Sequence, residues 1–175
     1  MSSLENLSYP IGRFQPPAEL TQNHLNAWIG SIKTFPERLE KAIAWLTTTQ
    51  LDTPYRPGGW TVRQLVHHLA DSHTNAYVRL KLGLTENEPT IKTYDQDAWA
   101  ALPDAQLPVE ISVRLLLPLH RRWVEILETM TDWERKIYHP GQAKWMSLAE
   151  LTGHYAWHGE HHLAHVTGLI ERKGW

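Results

Sequence analysis

Four stretches of this sequence repeat their apolar residues every three or four positions, and the segments between them are broken by proline and glycine. An α-helix advances by 3.6 residues per turn and a strand alternates every two, so this spacing commits the chain to helices. In the first stretch, from Leu20 to about Thr48, the apolar stripe runs through Trp28, Ile32, Phe35, Leu39, Ile43 and Leu46. Pro36 lies inside it and is expected to kink the helix or divide it in two. The second stretch runs from Trp60 to Gly83, with Thr61 and Gln64 as a capping box and Gly83 as the stop. Its apolar side holds Val62, Leu65, Leu69, Ala76 and Leu80. The third runs from Glu110 to Met130 through Leu115, Leu119, Trp123, Ile126 and Leu127, with a kink expected at Pro118. The fourth begins after Ser147, whose cap is supported by Glu150, and stops at Gly174. Helices that are apolar on one side must bury that side against each other, and four of them make an all-α four-helix bundle.

The connections carry their own signals. The first nineteen residues, with Pro10, Gly12, Pro16 and Pro17, read as an extended arm. "LDTPYRPGGW" at 51–60 is a loop; it lacks the Lys-Ser/Thr of a phosphate-binding loop, so its glycines mark a turn. The 84–109 connection holds three prolines, with a short turn of helix expected around Asp97 to Leu102. A connection this long is uncommon unless it covers something. "KIYH" and "AKWM", on either side of Pro140-Gly141, can pair as a small hairpin.

Composition narrows the function classes. The 175 residues suit one domain, and 42% apolar with 21% charged residues supply a core. A net charge of -2 without a basic block argues against nucleic acid as partner. No apolar run is long enough to span a bilayer, and the opening "MSSLENLSYPIGRF" does not have the form of a secretory leader. Cysteine is absent, which fits a protein of the cytoplasm and leaves His, Asp and Glu as the metal ligands. Any thiol in the chemistry must come from a substrate.

Eleven histidines are many for this length, and four of them fall within "YAWHGEHHLAHV" at 155–166. Leu148, Leu151, Tyr155, His158, His162, His165 and Leu169 share one side of the fourth helix. His158 and His162 are four apart, so their rings stack one turn above the other and can converge on one ion. His161 and His165 form a second such pair, rotated toward a neighbouring face; the leucine-ended stripe favours His158 and His162 for the interior. A third ligand can come from "HHLADSH" on the second helix, where His67 and His68 lie close to the inner face. Three neutral imidazoles leave coordination positions free for water or substrate, which marks a reactive site, and zinc or nickel suits nitrogen ligands. Asp71, Glu160 and Glu171 can orient an imidazole or take a proton. His73, His120, His139 and His154 are assigned to the cavity mouth at most. Arg121-Arg122 reads as a solvated helix face.

"TPYRPGGWTVRQLVHHLADSH" followed far downstream by "GHYAWHGEHHLAHV" resembles the DinB/YfiT-like superfamily, within it the metal-dependent hydrolase (bacillithiol transferase-like) subgroup. The likeness extends over nearly all of residues 1–175, including "LSYPIG". It implies an up-down-down-up bundle, commonly a homodimer, with one divalent metal per subunit held by three histidines. Matched motif by motif, the ligands fall on His68, His158 and His162. The chain departs from many distant members after the last ligand, where Leu163, Ala164 and His165 stand in place of Arg-Gly-Gln.

The resemblance implies a hydrolase acting on a small molecule, and it extends to S-transferases that use a low-molecular-weight thiol such as bacillithiol. In the hydrolase, Asp71 or Glu160 would take the proton of the attacking water. In the transferase, the 84–109 connection would help to form a pocket for the second substrate. A metal-binding stress or interaction protein without catalysis is the third reading, and its mark would be a closed site or a pocket too small for a substrate.

Overall fold

The computed structural model describes residues 3–175. Four long helices carry the fold: α2 (Gln22–Ile43), α4 (Val62–Thr85), α6 (Val109–Thr129) and α7 (Leu148–Lys173). Between them lie the short helices α1 (Ser3–Ser8), α3 (Thr48–Leu51) and α5 (Gln96–Ala100), 3-10 turns at Pro103–Gln106 and Pro140–Gln142, and a hairpin of β1 (Lys136–His139) with β2 (Lys144–Ser147). β1 and β2 pair antiparallel, Ile137 opposite Met146, as the sequence suggested.

Thr21, Thr61 and Ser147 accept the backbone N–H three residues on and so fix the starts of α2, α4 and α7. Gly174, at φ 65°, ends α7 in the left-handed conformation that glycine tolerates. Gly83 does not end α4, which continues to Thr85. A Cβ at Gly83 would stand 2.6 Å from Leu148 Cδ2, so its missing side chain admits the start of α7. Pro36 and Pro118 lie within helices that continue past them, so α2 is not divided. Packing of the flanking apolar residues outweighs the one lost hydrogen bond at each site.

Each long helix touches two others, α2 with α6 and α7, and α4 with α6 and α7. Their directions follow from the pairs that meet. Trp28 packs on Gly153 and Phe35 on Gly159, so α2 and α7 run parallel. His67 meets Ser112 and His73 meets His120, so α4 and α6 run parallel. Lys33 reaches Glu128 while Phe35 meets His120, and Gly83 packs on Leu148 while His68 meets His158, so α2–α6 and α4–α7 are antiparallel. That is the up-down-down-up order. Two parallel neighbours cannot be joined by a tight turn, which accounts for the long 84–109 crossover.

The core is in two parts. One apolar cluster gathers Phe35, Leu39, Leu65, Leu69, Leu116 and Val166. The other gathers Ile32, Leu80, Trp123, Leu127, Leu148 and Tyr155. Between them lies a layer containing His68, His73, His120, His158 and His162. On α6 the buried face runs through Val113, Leu116, His120, Trp123 and Leu127, whereas Leu115 is 51% exposed. Of the stripe expected from sequence, Trp123 and Leu127 lie on this face, and Leu119 and Ile126 are partly buried at its edge. No helix among the described residues is long and apolar enough to cross a membrane.

Candidate metal centre

α4 and α7 cross with the middle of each facing the other, and this brings His68, His158 and His162 together. One ring nitrogen from each lies within 4.8 Å of the others. His68 Nε2 and His158 Nε2 are 3.4 Å apart. Two nitrogens at the usual zinc distance of about 2.0–2.1 Å from a tetrahedral ion would be separated by roughly 3.3–3.4 Å. The residues therefore fit a divalent ion with nitrogen ligands. Burial lowers the His68 imidazole to about 4 and holds His158 and His162 well below the usual range, with mutual repulsion adding for the last two. All three are neutral at pH 7 and present lone pairs.

His67, the neighbour that the helical wheel left open, is engaged elsewhere. Its Nε2–H donates to the Leu107 carbonyl at 2.9 Å, and its Nδ1 accepts from the Ser112 hydroxyl at 2.7 Å. Both ring nitrogens are thereby used. His161, His162 and His165 make a second cluster whose nitrogens also lie within 4.8 Å. All three come from α7; His161 stacks on Trp157 and His165 on Tyr55.

Two chambers open onto the three histidines. The outer one, about 500 Å³, is lined by Tyr9, Tyr55, Arg56, Trp60, His161 and His165 together with His158 and His162. The "PYRPGGW" loop forms its wall, with Gly58 at φ 68° making the turn, and Trp60 packs its ring 4.6 Å from His68. The inner one, about 300 Å³, includes His68, Ser72, Arg79, Tyr94, His139 and His154 with Tyr155 and His158. The 84–109 connection contributes Thr93 and Tyr94 to the inner chamber and Gln96 to both. His139 and His154 do stand in a chamber wall, whereas His73 and His120 are 1% exposed, deep in the bundle.

Arg79 was not singled out by sequence. It is buried, and it donates to the Tyr155 hydroxyl at 2.8 Å and the Lys92 carbonyl at 2.9 Å, without a carboxylate among its hydrogen-bond partners. A positive charge of this kind, with Tyr94, Tyr155 and Ser72 beside it, is built to meet oxygen or negative charge on a ligand. Its only sequence signal is an arginine on the inner side of a helix one turn from Ala76. Arg122, by contrast, lies over the Tyr77 ring away from the chambers.

The two carboxylates separate. Asp71 is half-buried, and burial, with Asp104 adding, raises its carboxyl to about 6. Glu160 turns toward α2, where Arg38 pairs with both its oxygens and the Ser31 hydroxyl donates at 2.6 Å. Those hydrogen bonds hold Glu160 below the usual range against its partial burial. It lines a different cavity, with Trp28 and Trp157, that none of the three histidines reaches. The expected role in taking a proton at the histidines therefore lacks the geometry it needs.

The bundle and its histidine layer define a class: helical proteins that can hold a divalent metal between facing helices. The chain belongs to the DinB superfamily, whose profile matches residues 31–166. Two proteins, each named "Putative metal-dependent hydrolase", are similar over almost their whole length. That of Bacillus pumilus is 49% identical over 98% of this chain and 99% of its own. That of Oceanobacillus iheyensis is 51% identical over 97% and 99%. The solved structure of YfiT from Bacillus subtilis, described as a probable metal-dependent hydrolase with an unusual four-helix bundle topology, superposes with a TM-score of 0.94. It is 47% identical and covers 97% of this chain and 99% of its own.

Proposed function

We propose that the chain is a metal-dependent hydrolase in which His68, His158 and His162 hold one divalent ion, Zn2+ or Ni2+, with coordination positions left to water and substrate. The observation that carries this reading is the 3.4 Å separation of two neutral imidazole nitrogens, one on the buried His68 and one on the half-buried His158, at the junction of two chambers. An ion held there would lower the pKa of water and polarise a carbonyl or related bond. The protein's own part is in the chambers. Arg79 and the Tyr155 hydroxyl it holds stand where negative charge develops on a substrate oxygen. Asp71 lines neither chamber but lies close enough to Tyr94 to raise that residue's pKa; with its own raised to about 6 it is mostly ionised at neutrality and suits accepting a proton.

Thiol S-transfer is the second reading, and one observation favours it: His158 lines both chambers, so two reactants can approach the same centre from different sides. A thiol such as bacillithiol would enter one chamber and an electrophile the other. The volumes, about 500 and 300 Å³, lie in the range of small-molecule sites, which weighs against a closed, non-catalytic metal protein. As a homodimer, the protein would cover the exposed Ile111 and Leu115, one turn apart on α6.

The deciding experiment uses protein of measured metal content. Monochlorobimane is offered with and without bacillithiol, beside a panel of esters and amides. Metal-dependent hydrolysis without thiol supports the hydrolase. Conjugation that requires both metal and thiol replaces it with the transferase.

A further inference from the structure

Pro36 sits in the middle of α2, where proline removes a helical hydrogen bond. It has no N–H, so the carbonyl four residues earlier, that of Ile32, loses its helical donor. That carbonyl does not stay unpaired. His120 Nδ1 lies 2.7 Å from Ile32 O. A carbonyl can only accept, so Nδ1 of His120 carries the proton, and in the neutral ring Nε2 is then a bare lone pair. His120 Nε2 lies 2.8 Å from His73 Nδ1, which must therefore be the N–H donor. That leaves His73 Nε2 as an acceptor. It faces His158 Nδ1 at 3.4 Å, the longest of the three links. A proton on His158 Nδ1 completes the chain; without one, two lone pairs would face each other. His158 Nε2, the atom that faces His68, is then free of a proton.

Apolar rings shield this chain, although His120 also borders a cavity of about 590 Å³ beside Pro36 and Leu117. His73 and His120 are 1% exposed, Phe35 packs its ring 5.2 and 5.7 Å from theirs, and Trp123 closes the edge at 5.9 and 5.5 Å. Burial keeps both rings neutral. A neutral ring must be a donor at one nitrogen and an acceptor at the other, so a direction set at one end passes through every ring.

We propose that His120 and His73 are positioning residues which transmit the polarity of the Ile32 carbonyl, exposed by Pro36, to His158, locking it in the tautomer whose Nε2 is open to the metal. This rests on the metal-centre reading, and the test separates the two. Partners behind a metal-bound histidine commonly change metal affinity by 10–100-fold.

The first measurement is long-range 1H–15N NMR of the histidine rings in metal-free protein. Protons on Nδ1 of His73, His120 and His158 are expected; an Nε2–H tautomer at any of them overturns the relay whether or not the protein binds metal. The second is zinc affinity by competition with a chromophoric chelator. His120→Leu should weaken binding 10–100-fold. His120→Gln, whose amide can both donate to Ile32 and accept from His73, should restore it to within about threefold. A His120→Leu protein with wild-type circular dichroism and affinity within twofold of wild type would refute the proposal. Pro36→Ala returns an N–H to compete for the Ile32 carbonyl, so thermal stability should hold or rise while zinc affinity falls. A merely structural His120 would lose stability and affinity together. If the wild-type chain binds no zinc, the metal-centre reading fails and the NMR result still decides the tautomers.

Discussion

Burial has opposite consequences for His68 and Asp71, three residues apart on α4. For the imidazole it favours the neutral form, which is the metal-ready one; for the carboxyl it favours the protonated form. The histidines should behave as a set. His68→Ala, His158→Ala and His162→Ala are each expected to lose most of the bound metal, while His139→Ala retains it; elemental analysis of the purified variants reads this directly. For Asp71 the folded pKa, about 6, lies above the ordinary 3.8. The native state thus binds more protons than the unfolded state between those values, and stability declines as pH rises through that window. Asp71→Asn should therefore melt higher than wild type at pH 8, with the gap closing below pH 4. A gap that widens on acidification would mean that Asp71 is stabilised as a carboxylate in the fold.

Among the elements, the parallel contact of α2 with α7 depends on two glycines. A Cβ at Gly159 would come 2.9 Å from the Phe35 ring, and one at Gly153 would come 2.8 Å from Trp28. Gly159→Ala should cost about 1–3 kcal/mol by overpacking, read as a lower denaturant midpoint. It should also weaken metal binding, since Phe35 supports His73 and His120. The Arg38–Glu160 pair crosses the same interface, with side chains 37% and 35% exposed. Water screens such a pair, so Glu160→Gln should change stability by less than about 1 kcal/mol. It should leave metal content and turnover near wild type; a large loss of turnover would restore Glu160 to the chemistry.

For the whole molecule, the histidine layer lies among residues of two distinct apolar clusters, with Phe35 of one and Trp123 and Tyr155 of the other packed on its rings. An ion bound in that layer would tie α4 to α7 and stabilise the folded state in proportion to its occupancy. Chelation is expected to lower the melting temperature while the far-ultraviolet helical signal persists, because both clusters remain packed. Loss of helix on chelation would show that the metal is needed for folding itself. The four helices, the caps at Thr61 and Ser147, the hairpin and the i, i+4 pair on α7 were legible in the pattern of the sequence, whereas His68 was preferred to His67 only by the motif's family resemblance. Periodicity, capping and ring spacing along one helix are local properties, and the last ligand pair needs only one turn of α7. Other features required the packed fold. Whether His67 faced the centre depended on Leu107 and Ser112, some forty residues away. Whether Glu160 did depended on Arg38. The roles of Arg79, Tyr155, His73 and His120 arise from contacts between helices whose mutual rotation no single stripe specifies. A helical wheel ranks the faces of one helix by hydropathy, and it places a histidine or arginine inside only when apolar residues flank it on the same stripe, as they do His158 and His162. Only the partner helix supplies the hydrogen bond that lets such a group remain inside.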